Sequence, residues 1–443
     1  MLPQMKSLLA SLSLGRTPDS RFDLSAAIGS TLLRQVVSSG LYFVALWVTT
    51  RQLGPHNNGL LVTALLMPQT LYAFLNLGLG PSHVFHMSSG AGSPHAMRRM
   101  NWTLALGLWS LAALALALAS EGFIGHYLPG TAKHTALYAS LLFPAMLLAG
   151  WTSALIQGSR DYATFNKTVL IQPFTFCMGV LLLGATHSVG VVQVLTCHIL
   201  SQSALWLASE TRVRHYAAAS GDAGLKLGAS IGFGLRAHLS NVITFLNYRI
   251  ALYLVSFLLH PAAAGKYGLA IQLAEVLWLI ASAASVVVFP ESAAHHSTPS
   301  DLQAMVRRVA LSVFKITLAG ALLAGGLAPL VLPWVFGRDY ADSVIPFILL
   351  LPGIVTWSYM SIFSNSLAGM GYQRVNIQGA VLALTLNSVG CLLAIPVFGV
   401  RGAALASTVA FAATALYTAI MYRRTMARRI GQAERAVQFQ QTG

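Results

Sequence analysis

The chain has 443 residues, 56% of them hydrophobic and 9% charged, with a mean hydropathy of +0.66. A soluble domain carries nearer a quarter charged residues, so this balance excludes a soluble protein and predicts an all-α, polytopic integral membrane protein. The net charge of +15 comes from basic residues at the ends of apolar segments, as membrane topology requires, so nucleic acid is excluded as a partner.

Residues 1–23 hold one short apolar patch, LLASLSL, with no long apolar stretch or cleavage site, and predict a cytoplasmic N-terminal tail rather than a signal peptide. A spanning helix needs about 20 mostly apolar residues. Twelve spans follow, near 24–50, 59–82, 101–120, 134–157, 168–186, 190–209, 227–259, 266–289, 309–334, 344–369, 376–396 and 399–421. With the N-terminus inside, the inner tails and loops hold 18 lysines and arginines, among them Arg98, Arg212 and Arg308. The outer loops hold five: Arg51, Lys133, Lys266, Arg338 and Arg401. That bias predicts both termini in the cytoplasm. The longest outer loop is EGFIGHYLPGTAK, and no GxxxxGK[ST] loop is present, so neither an appended soluble domain nor ATP hydrolysis is expected.

The chain also repeats itself. LGPHNNG at 53–59 and LHPAAAG at 259–265 share the pattern LxPxxxG, 206 residues apart, and each stands between two spans. QGSRDYATFN at 157–166 resembles AGMGYQRVN at 368–376, in the loops after spans four and ten. The shared order predicts two six-helix lobes, at 24–209 and 227–421, joined by a cytoplasmic linker at 210–226 and followed by a basic cytoplasmic tail at 422–443. Transporters are commonly built from such repeats, with the substrate near the midplane between them. The plainer alternative is that Pro and Gly only mark tight turns.

Four basic residues fall inside spans: Arg34, Arg236, Arg249 and Lys315. A cation in hydrocarbon costs roughly 3 kcal/mol on insertion scales, so each needs a partner, water or a ligand. The repeat carries Arg236 onto Ser30, one helical turn from Arg34. Arg236, Ser240, Thr244 and Asn247 recur on one helix face of span seven, and Thr31, Arg34, Gln35 and Ser38 on one face of span one. Two such stripes suit a wet cleft between lobes, where arginine's planar fork and permanent charge suit an anionic ligand; snorkelling to the inner headgroups is the alternative for Arg34 and Arg236, and the expectation for Lys315. Arg249 points about 140° away from its stripe. Its hairpin places it at the depth of Glu275, 13 residues beyond the turn near Ala262, so a buried ion pair is expected. The other reading makes Glu275 a coupling carboxylate that releases its arginine to take a proton or Na⁺. The counterparts of this pair in the first lobe are Phe43 and Gln69. Cys177, Cys197 and Cys391 lie in apolar runs without ligand spacing, and His198 and His238 read as packing residues; no metal and no cofactor are expected.

RQLGPHNNGLLVTALL with LNLGLG, NYRIALYLVSFLLHPAAAGKYGLAIQLAEVLWLI ending in VVVFPE, and FGVRGAALAST together resemble the polysaccharide-repeat-unit (Wzx-type) flippases of the multidrug, oligosaccharidyl-lipid and polysaccharide exporter superfamily. The resemblance covers roughly residues 24–421. It implies a V-shaped, MATE-like pair of six-helix bundles in the bacterial inner membrane. By alternating access the pair would move an undecaprenyl-diphosphate-linked oligosaccharide to the outer leaflet for O-antigen, capsule or exopolysaccharide synthesis. A polysaccharide polymerase and a chain-length regulator are the partners it implies, besides membrane lipids. Three other classes compete. A multidrug exporter of organic cations fits an arginine-lined cleft poorly. A membrane polymerase, ligase or glycosyltransferase would need a sizeable loop or paired carboxylates. A scaffold would have no use for matched buried arginines.

Overall fold

The structure, a computed structural model, describes residues 24–88, 93–159, 161–218, 227–293 and 298–442; the expected tail at 1–23 and residues 219–226 of the expected linker lie outside the described residues. Every regular element among them is helical. The first group comprises α1 (Leu24–Leu75), α2 (Leu79–Ser88), α3 (Pro94–Leu118), α4 (Glu121–Tyr127), α5 (Lys133–Ser140), α6 (Leu142–Gly158), α7 (Tyr162–Val169), α8 (Ile171–Ala185) and α9 (Val191–Ala218). The second comprises α10 (Leu227–Leu258), α11 (Pro261–Glu275), α12 (Trp278–Ala293), α13 (Pro299–Phe336), a 3₁₀ turn at Arg338–Ser343, α14 (Val344–Gly369), α15 (Gln373–Phe398) and α16 (Val400–Thr442).

Ten of these stretches are long and apolar enough to cross a bilayer, and Val242–Leu258 within α10 is a shorter apolar helix. One of the ten, α1, holds two of the expected spans without a loop between them. Gly54 takes φ 69° and ψ 172°, a conformation that costs a residue without Cβ little, and Pro55 sets the first turn of the next arm. LGPHNNG is therefore a sharp bend. At the repeated motif His260 caps α11, its Nδ1 accepting from the Ala263 amide at 3.3 Å, with Pro261 in the first turn. The loop after α3, expected outside, holds a helix of its own, α4, capped by Ser120, which the hydropathy reading missed. α9 runs on through 210–218 and α16 through 422–442, so helix occupies ground assigned to the linker and the tail.

Lipid tails are as apolar as leucine, so helices in a bilayer are held by close packing and interhelical hydrogen bonds. In the first group, Phe143, Leu147 and Trp151 of α6 pack with Leu79 and Ala105. Arg98 Nε donates to Glu210 Oε1 at 2.9 Å and ties α3 to α9, with Arg214 Nε 3.5 Å from the same oxygen. Glu210 is only 4% exposed, a burial that requires such partners. Leu350, Ile354, Cys391 and Ala403 centre the second group.

The two groups, hereafter the N- and C-terminal lobes, meet at the ends that the lysine and arginine bias places outside. Gly59 and Gly265 are both buried there. A methyl group on Gly59 would fall on the Pro261 carbonyl, and one on Gly265 on the Pro55 carbonyl. Gly59 and Gly265, like Pro55 and Pro261, are 206 positions apart, so each lobe presents the same patch to the other, as a local two-fold axis requires. Thr63 Oγ1 and Ser256 Oγ share a hydrogen bond of 2.5 Å beside this crossing. Trp47 Nε1 donates to the Val335 carbonyl at 2.9 Å, and Arg51 Nη1 to the Trp334 and Val335 carbonyls at 3.2 and 3.1 Å. Those carbonyls end α13 and lack intrahelical partners, and a cation there also complements the helix dipole.

Candidate functional site

Inward of this contact lies a cavity of about 560 Å³ between the lobes. Its N-terminal wall includes Tyr42, Phe43 and Gln69 of α1, Phe176 of α8 and His198 of α9. Its C-terminal wall includes Arg249 of α10 with Gln272 and Glu275 of α11. Phe43 and Gln69 are the repeat counterparts of Arg249 and Glu275, and all four reach the same space.

Local backbone explains why an acid can stand there. Glu275 is the last residue of α11; the Val276 and Leu277 amides turn back to the Leu273 and Ala274 carbonyls at 3.3 and 3.2 Å before α12 begins. A helix C-terminus carries roughly half a negative charge, which opposes a carboxylate unless a cation is near. Arg249 Nη1 supplies it, donating to Glu275 Oε1 at 3.2 Å. The two side chains are 26% and 20% exposed, so the pair opens to the cavity rather than lying sealed between helices. It is the one hydrogen bond Arg249 makes among the described residues, and it uses one of five N–H donors. The second arm of α1 is interrupted as well. Leu77 and Gly78 take φ 54° and 64°, Asn76 Oδ1 accepts from the Gly78 amide at 2.9 Å, and Trp151 Nε1 donates to the Asn76 carbonyl at 3.2 Å. Broken helices beside a central cavity recur in transporters, because unwound backbone is tolerated where it meets protein or water.

The described members of the expected polar stripes do not line this cavity. Arg34 stands 5.9 Å from the Phe165 ring centre, and its Nε is buried without a hydrogen-bond partner among the described residues. Phe165 also borders a second recess, of about 610 Å³, with Gly80, Ser153 and Gln157. Gln35 is half-buried, and neither it nor Arg34 lines the central cavity. The side chains of Arg236 and Ser240 lie outside the described residues, while Thr244 is half-buried and engaged in contacts. Asn247 belongs to the lobe interior. It is 1% exposed, and its carbonyl accepts from Asn387 Nδ2 of α15 at 3.3 Å. The helix face shared by the stripe meets α15 at that depth, so equal angle around α10 does not mean equal surroundings. Among the described residues no cluster of His, Cys, Asp or Glu could hold a metal ion.

Residues 48–345 match the family described as "polysaccharide biosynthesis protein". The chain belongs to that family. Among solved structures it is similar to the lipid II flippase MurJ in an inward closed conformation, with a TM-score of 0.72 and 13% identity over 90% of this chain and 89% of that one. It is similar also to an inward-facing MATE multidrug resistance transporter of the MOP superfamily, with a TM-score of 0.66 and 15% identity over 90% and 98%. A MOP superfamily transporter from Pyrococcus furiosus, whose binding pocket is described as reversed in polarity, gives 0.65 and 13% over 91% and 96%. No curated protein sequence matches. The expectation of an all-α, MATE-like, multi-pass membrane protein holds at the level of fold, and these structural relatives are transporters rather than enzymes.

Proposed function

We propose that this member of the polysaccharide biosynthesis family flips an undecaprenyl-diphosphate-linked oligosaccharide from the cytoplasmic to the periplasmic leaflet by alternating access of its two lobes, 24–209 and 227–421. The observation that supports this most is Arg249, held among the described residues by a single hydrogen bond in a cavity between the lobes. A diphosphate offers several oxygens to the guanidinium where Glu275 uses one, and arginine keeps its charge throughout. Arriving phosphate competes with the carboxylate for the same fork. Because one ionic contact replaces another, the net gain is small, which suits a carrier that must also let go. Glu275, left at a helix C-terminus without its cation, then attracts a proton or Na⁺, the coupling ion of this scheme. Arg34, which stands away from this cavity beside Phe165, and Arg236 are assigned in this scheme to a positive path on the cytoplasmic side of it. The structural likeness to a protein named for flipping lipid II agrees with a lipid-linked substrate. A polymerase and a chain-length regulator are the partners such a substrate implies.

The test separates folding from transport. Removing one member of a buried pair costs about 3–5 kcal/mol, and less where the pair is partly open as here, because the other charge is stranded. Arg249→Met or Glu275→Gln alone should therefore lower protein abundance. Arg249→Met with Glu275→Leu should restore abundance in the membrane while surface polysaccharide stays lost and lipid-linked units accumulate inside. Normal polysaccharide from the double variant sinks the phosphate role of Arg249. Glu275 in the wall favours a second reading, export of an organic cation. It predicts that cationic-dye resistance falls with Glu275→Gln while polysaccharide is unchanged.

A further inference from the structure

The cavity's two walls differ in kind. Among the described residues, the formally charged ones lining it, Arg249 and Glu275, both belong to the C-terminal lobe, whereas those of the N-terminal wall are neutral and include aromatic side chains. Tyr42 and Phe43 are 38% and 44% exposed. Tyr42 is held from behind, its ring centre 6.0 Å from Phe176 and its hydroxyl on Gln172 of α8. His198 stacks on the same Phe176 at 4.0 Å, and Phe43 meets the edge of Phe336 at 6.2 Å. These contacts fix ring orientation at two side chains whose surfaces remain uncovered. The repeat equates Phe43 with Arg249, so an aromatic side chain sits at the depth of the cation but on the opposite lobe.

We propose that Tyr42 and Phe43 form a sugar-binding wall that receives the saccharide attached directly to the diphosphate, while Arg249 of the opposing lobe holds the phosphates. This rests on the flippase reading and adds to it a division of the substrate between the lobes. In a glycosyl diphosphate the first sugar is bonded to the phosphate, so a site holding the phosphate has that sugar within one ring's reach. The C–H edges of a sugar ring carry slight positive charge and lie well against the negative face of an aromatic ring. A cavity of about 560 Å³ is in the range of small-molecule sites, roughly 300–1,000 Å³. Parting the lobes would pull the sugar's wall away from the phosphate's, so release follows from opening itself.

Binding to purified protein in nanodiscs tests this, with two probes: undecaprenyl diphosphate bearing no sugar, and lipid-linked saccharide extracted from cells that lack this chain. Tyr42→Leu and Phe43→Leu keep apolar bulk and remove the rings. Each should weaken the saccharide-bearing probe by about 3- to 10-fold, the scale of one aromatic contact, and leave the sugar-free probe unchanged. Tyr42→Phe, which keeps the ring and loses the Gln172 hydrogen bond, should bind both as the parent does. Equal weakening of both probes, or of neither, overturns the sugar wall. Failure of the parent protein to bind either probe overturns the flippase reading beneath it, a different result from failure of the wall alone.

Discussion

Gly59→Ala perturbs a place where the two halves of the repeat touch backbone to backbone. The added methyl group would land on the Pro261 carbonyl and lie 3.1 Å from the Gly265 nitrogen, and neither is a side chain that can rotate away. The helices must part instead. Overpacking of this kind costs about 1–3 kcal/mol. The cost falls only on the state in which the outer ends meet, so the equilibrium shifts toward outward opening by about 5- to 150-fold, at tenfold per roughly 1.4 kcal/mol. Gly265→Ala should act alike, because it meets the Pro55 carbonyl across the same local axis. The two together should shift the equilibrium by less than the product of their effects, since helices already parted have no second clash to relieve. The assay places one cysteine at Gln272 in the cavity wall, with Cys177, Cys197 and Cys391 replaced by alanine, and follows its reaction with an impermeant thiol reagent added outside. Faster labelling in each glycine variant is the expected result. Unchanged labelling with normal protein abundance, or a response to one glycine and not the other, refutes the two-fold seal.

Arg34→Ala and Arg236→Ala should leave protein abundance nearly unchanged and reduce surface polysaccharide, with lysine restoring part of it and glutamine none, because charge matters first and the fork second; normal polysaccharide from the double alanine variant refutes a phosphate path through them. Cysteines at His56, His134 and Arg338 should react with an impermeant reagent from outside and those at Arg99, Arg212 and Arg428 should not, and exchange of the two sets overturns the orientation read from lysine and arginine.

The fold was legible because a bilayer imposes a length on every span and the inner surface selects basic residues, both of which show in one sequence. The bend at Gly54 was half legible. Glycine before proline marks a turn, but only φ 69° shows that two spans join with no loop at all. Local signals also sufficed for α4, where Ser120 stands directly before Glu121 in the first turn, but hydropathy alone does not register them. Arg98 and Glu210 were not legible as partners. They are 112 residues apart, and nothing in the order of the chain says that α3 lies on α9.

The site divides in the same way, and the reason lies in what each kind of inference measures. Depth along a hairpin depends on residue count alone, so counting 13 residues either side of Ala262 brings Arg249 to Glu275. Which surface a residue meets depends on helix tilt and on neighbours contributed by distant parts of the chain. The angle around α10 therefore set Arg249 apart from the cleft and put Asn247 in it, whereas Arg249 lines the cavity and Asn247 packs under Asn387. The repeat carries information of a third sort, because a two-fold axis relates positions whatever their chemistry. It brings Phe43 and Gln69 into the same space as Arg249 and Glu275 while saying nothing about charge. A symmetric frame with an asymmetric lining is what a substrate with unlike ends demands. In the reading proposed above, the frame would let either side open, and the lining would decide which end of the substrate travels with which lobe.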